Sequence, residues 1–489
     1  MKSIFVTFLL LLISFCINAQ IDEKITIGRK EVLTSKILNE NRAVWVYTPT
    51  LTSLSPDSNK RYPVLYLLDG DAHFYSTVGI IQQLSQANGN GVVPEMIVVG
   101  IENTNRYRDL VPSTDIDKPN PFVGFMKDEL MPYIDNNYNT APYKLIAGHS
   151  LGGLTVIDML AHSNDLFNAY IAIDPSMWYN KEVYLKNAMA QLPKQNKKGK
   201  KLFIGTANTM PKGMTLTQLK KRNDIETQHI RSILKLNEFL VKSNNGLKFT
   251  HKYYENERHN TVPLLCEYDG LRFIFDYYFF DAGEKDFADS TAQIALRLKS
   301  HYKNVSKELG YKNAPPEPLI NYLGYGALAQ KHLAKAMAFF ELNIEWYPES
   351  SKVYDAYSDY NLSQKDTISA IANYKKSLHL NNDASVLQKI NTLSHSNTKN
   401  LPVDDLQKYV GTYTLLDFQL DISLVVQDGS LWAIVPGQAD DEFQILSENI
   451  FTIKGKQNYK ITFEMKGDTP ISFTSVQPNG TFKAVFKSK

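Results

Sequence analysis

The sequence predicts an α/β fold for the first half of the chain, followed by an α-helical segment and a small antiparallel β domain. Three observations lead to this prediction. Apolar runs of strand length alternate with helical patterns up to about residue 280, which is typical of a doubly wound, mostly parallel sheet. Two similar segments near the middle of the chain recur at a spacing of ~34 residues. From Leu401 onward, short strand-like runs are separated by turn residues.

The N-terminal residues 1–19 have the features of a secretory signal peptide. A lysine precedes an apolar run at residues 4–17, which is too short for a comfortable membrane span, and a small-residue cleavage site follows. We therefore expect a periplasmic or secreted protein without a lipid anchor. Removal of Cys16 with this segment leaves Cys266 as the only cysteine, so the fold must depend on core burial rather than on disulfides.

Charge and composition exclude several classes of function. The 489 residues include 53 basic and 51 acidic side chains. The net charge of +2 shows no excess of basic residues of the kind that binds nucleic acid or a membrane surface. The sequence contains no Cys/His cluster at zinc spacing, no phosphate-binding loop and no dinucleotide fingerprint. No second apolar run is long enough to span a bilayer. We therefore expect no metal, no organic cofactor, no nucleic-acid partner and no membrane span.

Ser150 lies at the centre of the strongest motif. Residues 145–147 predict a buried strand, and apolar side chains recur at helical spacing from Leu154 onward. The pattern Gly-x-Ser-x-Gly at residues 148–152 connects the two. A strand can turn straight into a helix only through a strained residue, and flanking glycines leave room for that turn. We interpret Ser150 as a nucleophile at the sheet edge, with the N–H of Leu151 facing the oxyanion.

Residues after later strands supply the base and the acid. His259 lies in a polar loop after the last strand of this region, and we interpret it as the base that accepts the serine proton. The acid should follow the strand at residues 202–205, but no carboxylate lies in that turn. We therefore assign the acid to Asp224, in the helical insertion that follows. Two alternatives remain open, namely Glu226 and a Ser–His dyad assisted by Asn208.

Other turns at the same edge predict oxyanion and substrate contacts. The second oxyanion N–H should come from Gly70 or Asp71, in the turn after the third strand. Trp178 follows another strand and is expected at the mouth of the site, where it either holds an acyl or aromatic group or simply packs. Arg106 either reaches an anionic substrate or forms a structural pair with an aspartate.

Four stretches of the first half share their pattern with a known family: residues 64–71 (VLYLLDGD), 148–153 (GHSLGG), 258–263 (RHNTVP) and 268–273 (YDGLRF). On these stretches, residues 24–280 resemble the putative esterase family of α/β-hydrolases, whose members include siderophore esterases, esterase D, feruloyl esterases and mycolyltransferases. The resemblance implies hydrolysis of carboxylic esters with Ser150 as nucleophile and His259 as base. The turn after Gly205, which lacks a carboxylate, departs from several members of the family.

The rest of the chain consists of a bridge and two further regions. Residues 281–316 are expected to form a linker or helical bridge, and residues 317–395 resemble two tetratricopeptide units. Because two units are fewer than such a stack usually needs, a structural spacer is favoured over a site for a protein partner. Residues 401–489 predict a small antiparallel barrel or sandwich, and they resemble the β-rich modules appended to secreted bacterial serine hydrolases.

We therefore interpret the protein as a serine esterase acting on a small-molecule or glycan-linked ester. Siderophore lactones, polysaccharide acyl groups and small aliphatic esters are the open substrate classes. An acyltransferase would use the same site and would differ only in the group that deacylates it. A non-catalytic binding protein would use the repeats and the β module to assemble partners, and the intact Ser150–His259 pair argues against it.

Overall fold

The structure is a computed structural model that describes residues 25–49, 60–85, 91–115, 118–163, 165–396, 403–447, 449–456, 459–478 and 480–489. The expected signal peptide of residues 1–19 lies outside these ranges. The chain divides into two compact units, one of Met1–Ala282 with Leu298–Ala314 and one of Gly283–Arg297 with Pro315–Lys489. Among the described helices, none combines the length and the apolar composition that crossing a bilayer requires.

The first unit is built on one eight-stranded sheet. Its strands are β1 (Arg29–Ser35), β2 (Glu40–Tyr47), β3 (Tyr62–Leu68), β4 (Ile97–Ile101), β5 (Thr140–His149), β6 (Ala169–Ile173), β7 (Lys201–Ala207) and β8 (Lys248–Tyr254). Their order across the sheet is β1-β2-β4-β3-β5-β6-β7-β8. The pairs β1–β2 and β2–β4 are antiparallel, and every later pair in this order is parallel. The sheet therefore confirms the predicted α/β-hydrolase type of domain.

Helices cover both faces of this sheet. They are α1 (Gly70–Ser85), α2 (Arg106–Leu110), α3 (Pro121–Phe125), α4 (Met131–Asn137), α5 (Leu151–His162), α6 (Tyr179–Gln191), α7 (Leu216–Leu219), α8 (Gln228–Lys242) and α9 (Val262–Ile274). Alternate residues of β3 enter two separate apolar cores, with Val64, Tyr66 and Leu68 in one and Leu65 and Leu67 in the other. Every residue of β3, β4, β6 and β7 is buried, because both faces of these strands are covered. This burial explains why they appear in the sequence as nearly continuous apolar runs.

The middle of the chain is helical. Here α10 (Glu284–Ala288) and α11 (Gln293–Leu309) precede α12 (Glu317–Ala329), α13 (Leu333–Trp346), α14 (Ser351–Ser363), α15 (Thr367–Leu380) and α16 (Ala384–Ser396). The pair α12–α13 and the pair α14–α15 begin at Glu317 and Ser351, which are 34 positions apart. Small side chains such as Ala336 and Ala356 pack with Phe340 in a shared apolar core, so that neighbouring helices approach closely.

The C-terminal region is a closed antiparallel barrel, so the structure selects the barrel over the sandwich. A short helix, α17 (Val403–Leu406), precedes β9 (Gly411–Leu415), β10 (Leu420–Gln427), β11 (Ser430–Ile434), β12 (Asp441–Ser447), β13 (Ile450–Ile453), β14 (Lys460–Lys466), β15 (Thr469–Gln477) and β16 (Gly480–Ser488). β9 pairs with both β10 and β16 and thereby closes the barrel. Large aromatic side chains fill the interior, including Tyr409, Tyr413, Phe451, Phe463 and Phe473.

Candidate active site

The chain turns from β5 into α5 at Ser150, as the Gly-x-Ser-x-Gly pattern predicts. Ser150 has φ 60° and ψ −111°, a conformation that residues other than glycine rarely adopt. A Cβ on Gly148 would lie 2.5 Å from the backbone of Gly152, and a Cβ on Gly153 would lie 2.9 Å from Cα of Pro175. Glycine is therefore required for this close approach, which holds the strained turn and places the Ser150 hydroxyl at the carboxyl edge of the sheet.

Ser150, His259 and Asp174 form a continuous chain of hydrogen bonds. Ser150 Oγ lies 3.1 Å from His259 Nε2, and His259 Nδ1 lies 2.6 Å from Asp174 Oδ2. His259 stands in the loop between β8 and α9, and Asp174 directly follows β6. The carboxylate is fully buried, whereas the imidazole is 34% exposed. In this arrangement the histidine can accept a proton from the serine while the carboxylate fixes the orientation of the ring.

Asp224, the acid expected from the sequence, is not part of this chain. It is the N-cap of a 3₁₀ turn at Ile225–Thr227, and its Oδ1 accepts the N–H of Thr227 at 3.1 Å. Its other oxygen pairs with Arg222. One oxygen thus caps the turn by accepting an N–H group that lacks a partner in its own helix, and the other forms an ion pair with Arg222 two positions earlier. The assignment of the acid to Asp224 is therefore wrong, and the carboxylate that bonds to His259 is Asp174.

The two alternatives to Asp224 also lie elsewhere. The side chain of Glu226 is 67% exposed, and its nearest basic partner is Arg222 at 3.9 Å. Asn208 donates its amide to the backbone carbonyl of Glu255 at 2.9 Å. Neither side chain contributes to the hydrogen bonds that join Ser150 to the acid.

The order of the strands explains why the acid follows β6. The sequence argument placed the acid after β7, but β6 lies between β5 and β7, so its end is closer to Ser150. Asp174 has φ 41°, and its Oδ1 accepts the N–H of Ala207 from the end of β7 at 2.9 Å. The signal was present in the sequence, since Asp174-Pro175 directly follows the five-residue apolar strand β6.

A second histidine, His229 near the start of α8, bonds to the same carboxylate oxygen. Its Nε2 lies 2.8 Å from Asp174 Oδ2. Burial alone would raise the pKa of Asp174, but the hydrogen bonds from His229 and His259 outweigh it and hold the pKa at about 2. The acid is therefore ionised throughout the neutral pH range. Sequence reasoning missed His229 because its position depends on how the insertion after β7 folds back over the sheet edge.

Two further histidines lie close to the site: His149 is next to His259, and His73 is next to His149. The ring of His149 is 4.5 Å from that of His259, and the ring of His73 is 5.7 Å from that of His149. Burial, and to a smaller extent the neighbouring imidazoles of His259 and His73, lower the pKa of His149 to about 4. Burial also lowers the pKa of His73. Both rings are therefore neutral at pH 7, and they do not repel a positive charge that forms on His259.

The residues expected to form the oxyanion hole lie at two adjoining helix starts. Leu151 is the first residue of α5, and Asp71 is the second residue of α1. The first N–H groups of a helix have no acceptor within that helix, so both positions retain a backbone donor. Asp69, just before α1, has φ 53°, and its Oδ2 would lie 3.4 Å from a Cβ on Gly152. The two turns are therefore neighbours at the sheet edge.

Arg106 and Trp178 flank this region. Arg106 Nε lies 2.7 Å from one carboxylate oxygen of Asp69, and a second guanidinium nitrogen lies 2.9 Å from the other. This bidentate contact is the structural Arg–Asp pair, although 37% of the Arg106 side chain is still exposed. Trp178 is 38% exposed and its ring lies 6.0 Å from that of Tyr179. A role of either residue in substrate binding stays a prediction.

Comparison with known proteins yields a consistent set of relatives. The family described as Putative esterase matches residues 35–268, which include Ser150, Asp174 and His259. Ferri-bacillibactin esterase BesA of Bacillus subtilis is 30% identical over 204 residues, which cover 37% of this chain and 70% of that protein. A siderophore triacetylfusarinine C esterase of Aspergillus fumigatus is 25% identical over 145 residues, covering 26% of this chain and 49% of that protein.

A solved structure extends the similarity to three dimensions. An IroE-like serine hydrolase from Shewanella oneidensis superimposes with a TM-score of 0.53 and 28% sequence identity. The superposition covers 65% of this chain and 99% of that structure. Two of these three relatives are thus siderophore esterases, and the third is a serine hydrolase with a fold similar to that of this chain.

Proposed function

Since this chain belongs to the putative esterase family and is a hydrolase acting on ester bonds, we propose that it is a serine esterase that forms its acyl-enzyme on Ser150. The observation that carries the proposal is the hydrogen-bonded chain from Ser150 through His259 to Asp174. Each of its three members has the residue type and the order of contacts that nucleophilic ester cleavage requires.

In the first half-reaction, Ser150 Oγ attacks the carbonyl carbon of the ester. Its proton passes to Nε2 of His259, 3.1 Å away, and the imidazolium that forms is stabilised by the ionised Asp174. The carbonyl oxygen becomes an oxyanion and is bound by the N–H groups of Leu151 and Asp71. Loss of one such donor typically costs about 10²–10³-fold in kcat. Collapse of the intermediate breaks the ester C–O bond, and His259 returns the proton to the leaving alcohol.

In the second half-reaction, water attacks the acyl group on Ser150. His259 accepts a proton from this water, the oxyanion forms again, and the bond to Ser150 breaks as the proton returns to Oγ. The products are the free acid and the regenerated enzyme. No cofactor enters either half-reaction.

For the substrate, we propose the ester bonds of a siderophore. This class is supported by the names of two relatives, a ferri-bacillibactin esterase and a siderophore triacetylfusarinine C esterase. We assign Arg106 and Trp178 to its binding, because each keeps more than a third of its surface accessible near the strained turn at Ser150, which we call the elbow. Arg106 also donates to the carbonyl of His149 at 3.3 Å, which places the guanidinium beside Ser150.

The remaining regions are assigned supporting roles. We propose that α12–α13 and α14–α15 are two tetratricopeptide units, because their starts at Glu317 and Ser351 have the period of such repeats. They act as a spacer before the barrel, and a protein partner on their surface is the alternative. The apolar run at residues 4–17 supports a periplasmic or secreted location.

Two experiments test the proposal. An organophosphonate probe should label the full chain at Ser150, and labelling should be absent in Ser150→Ala but retained in Ser163→Ala, a control at the other end of α5. The kcat/KM values for a ferric cyclic triester siderophore, a feruloylated glycan and p-nitrophenyl acetate then rank the substrate classes. A glycan preferred over the siderophore would reject the substrate class, and an unlabelled Ser150 would reject the mechanism.

A further inference from the structure

Three groups of the candidate active site are also arranged as metal ligands. Asp174 Oδ2, His229 Nε2 and His259 Nδ1 all lie within 4.8 Å of one another. Both nitrogens already bond to the same carboxylate oxygen, at 2.8 Å and 2.6 Å. Two imidazoles and one carboxylate, with a fourth position left to water, are a donor set that Zn²⁺ prefers. The proposed hydrolysis uses Asp174 and His259 but gives His229 no chemical step.

We propose that Asp174, His229 and His259 form a Zn²⁺ site, and that the bound ion reversibly inhibits the esterase. Tetrahedral Zn²⁺ with bonds of about 2.0–2.1 Å keeps its ligand atoms about 3.3 Å apart. Each nitrogen would therefore move away from the Asp174 oxygen, by roughly 0.5 Å for His229 and roughly 0.7 Å for His259. Rotation of the side chains supplies a shift of this size. Binding of the ion does not depend on the proposed function, but the inhibition rests on it.

The surroundings of the three ligands favour a site of this kind. The other oxygen of Asp174 accepts the N–H of Ala207 at 2.9 Å, and such outer contacts orient a metal-binding carboxylate. The side chains of His229 and His259 are 17% and 34% exposed, which gives a hydrated ion a path to the cluster.

The inhibition follows from the position of one proton. When Zn²⁺ takes the lone pair of His259 Nδ1, the neutral imidazole carries its proton on Nε2. That nitrogen is the one 3.1 Å from Ser150 Oγ, and a nitrogen that carries a proton donates instead of accepting. His259 then no longer takes the proton of Ser150. Because the ion sits on the far side of the ring from the nucleophile, we expect kcat to fall while KM stays nearly constant.

The test compares the parent protein with two histidine variants. His229→Gln keeps an N–H donor toward Asp174 but removes an imidazole ligand from the cluster. His162→Gln is the matched control, because His162 forms its own His–Asp pair with Asp158, at 3.0 Å on α5. His229→Asn provides a second substitution should the glutamine variant not fold.

Added Zn²⁺ should lower kcat of the parent protein for p-nitrophenyl acetate, EDTA should restore it, and Mg²⁺ should have no effect. For His229→Gln, the Zn²⁺ concentration that halves the metal-free rate of the same variant should rise by at least about ten-fold, as expected for a lost ligand. His162→Gln should respond as the parent does. Equal sensitivity of the parent and His229→Gln, or an uninhibited parent, would overturn the proposal.

Calorimetric titration with Zn²⁺ separates this proposal from the proposed function. The parent should bind one equivalent of Zn²⁺ at least about ten-fold more tightly than His229→Gln does, whether or not any ester is turned over. Identical stoichiometry and affinity in the two proteins would reject the site. A clear difference in binding together with no hydrolysis of any ester would keep the metal site and reject the esterase function instead.

Discussion

The esterase domain and the C-terminal barrel place their strained backbone in different environments. In the esterase domain, three strands that are neighbours in the sheet each end in a non-glycine residue with positive φ: Asp69 at 53°, Ser150 at 60° and Asp174 at 41°. In the described part of the barrel, the non-glycine residues with positive φ are Gln419, Asp428 and Asn449, and each lies in a turn between two strands.

The difference shows what strain is used for in each region. In an exposed turn, a short polar side chain such as that of Asp428 reaches the left-handed region at little expense. At the sheet edge, Asp69 and Asp174 are 6% and 0% exposed, and strain at such buried positions costs on the order of 1–3 kcal/mol each. The surrounding contacts must hold these residues in place. Strain at buried positions therefore marks the candidate active site better than the presence of strain alone.

Buried polar groups follow the same division. In the described barrel, the buried polar side chains are Ser472 and Ser475, and aromatic rings fill the rest of the interior. The esterase domain buries ionisable side chains such as Glu267 in addition to those of the site. The described barrel interior is thus almost wholly apolar, whereas the esterase domain combines its apolar cores with buried ionisable side chains. Four experiments test this difference between the two regions.

The largest expected effect is that of Ser150→Ala. The substitution removes the nucleophile, so ester hydrolysis should fall on the order of 10⁵–10⁶-fold, as seen when a catalytic serine is lost. The side chain is small and its Oγ bonds only to polar neighbours, so circular dichroism and thermal unfolding should be nearly unchanged. A variant with activity near that of the parent would contradict the role of the elbow.

The next effect is that of Asp174→Asn on kcat. The amide removes the negative charge that stabilises the imidazolium of His259, and we expect a fall on the order of 10⁴-fold. Asp224→Asn is the control, because Asp224 caps an exposed turn and bonds to Thr227. It should leave kcat nearly intact and lower stability only slightly, through the weaker cap. The reverse outcome, with Asp224→Asn inactive and Asp174→Asn active, would contradict the role of Asp174 as the acid.

A smaller, pH-dependent effect is expected for Glu267→Gln. Burial raises the pKa of Glu267 to about 8, and the hydrogen bond from Thr77 at 2.9 Å offsets it only in part. The folded state therefore keeps this proton up to about pH 8, whereas the unfolded chain releases it above about pH 4.5. The stability from this group is full below pH 4.5 and is lost as the pH rises through 8.

Glutamine does not ionise, so at pH 9 the Glu267→Gln variant should be the more stable protein, by on the order of 5 kcal/mol. Near pH 4.5 the two proteins should unfold at similar temperatures. Thermal unfolding at both pH values measures the difference, and Glu226→Gln, whose carboxylate is mostly exposed, is the control. A difference that is the same at both pH values would show that Glu267 is not a buried protonated acid.

The smallest effect on catalysis is expected from deletion of residues 401–489. The strands and turns that carry Ser150, Asp174 and His259 all precede the barrel in the chain. The truncated protein should therefore hydrolyse p-nitrophenyl acetate with kcat within about two-fold of the parent, because it keeps every member of the hydrogen-bonded chain of Ser150, His259 and Asp174. If it folds, as judged by circular dichroism, and loses turnover, the barrel would have to complete the active site.

The features of this protein that depend on contiguous residues could be predicted from the sequence alone. The elbow at Ser150 was predictable because strand, glycine turn and helix follow one another directly, and their conformations are set by local sterics. The position of His259 was predictable because the loop after a late strand is read from chain order. The helical middle and the antiparallel C-terminal strands followed from the periodicity of apolar residues.

Only the tertiary structure decided which distant residues meet. Asp174 bonds to His259 because β6 lies beside β5 in the sheet, an order that local patterns do not specify. His229 reaches the same carboxylate from 55 positions away, and Asp224 is drawn into a cap of the insertion that carries His229. Sequence patterns report the conformation of each segment, but contacts between segments depend on packing free energy summed over the whole core.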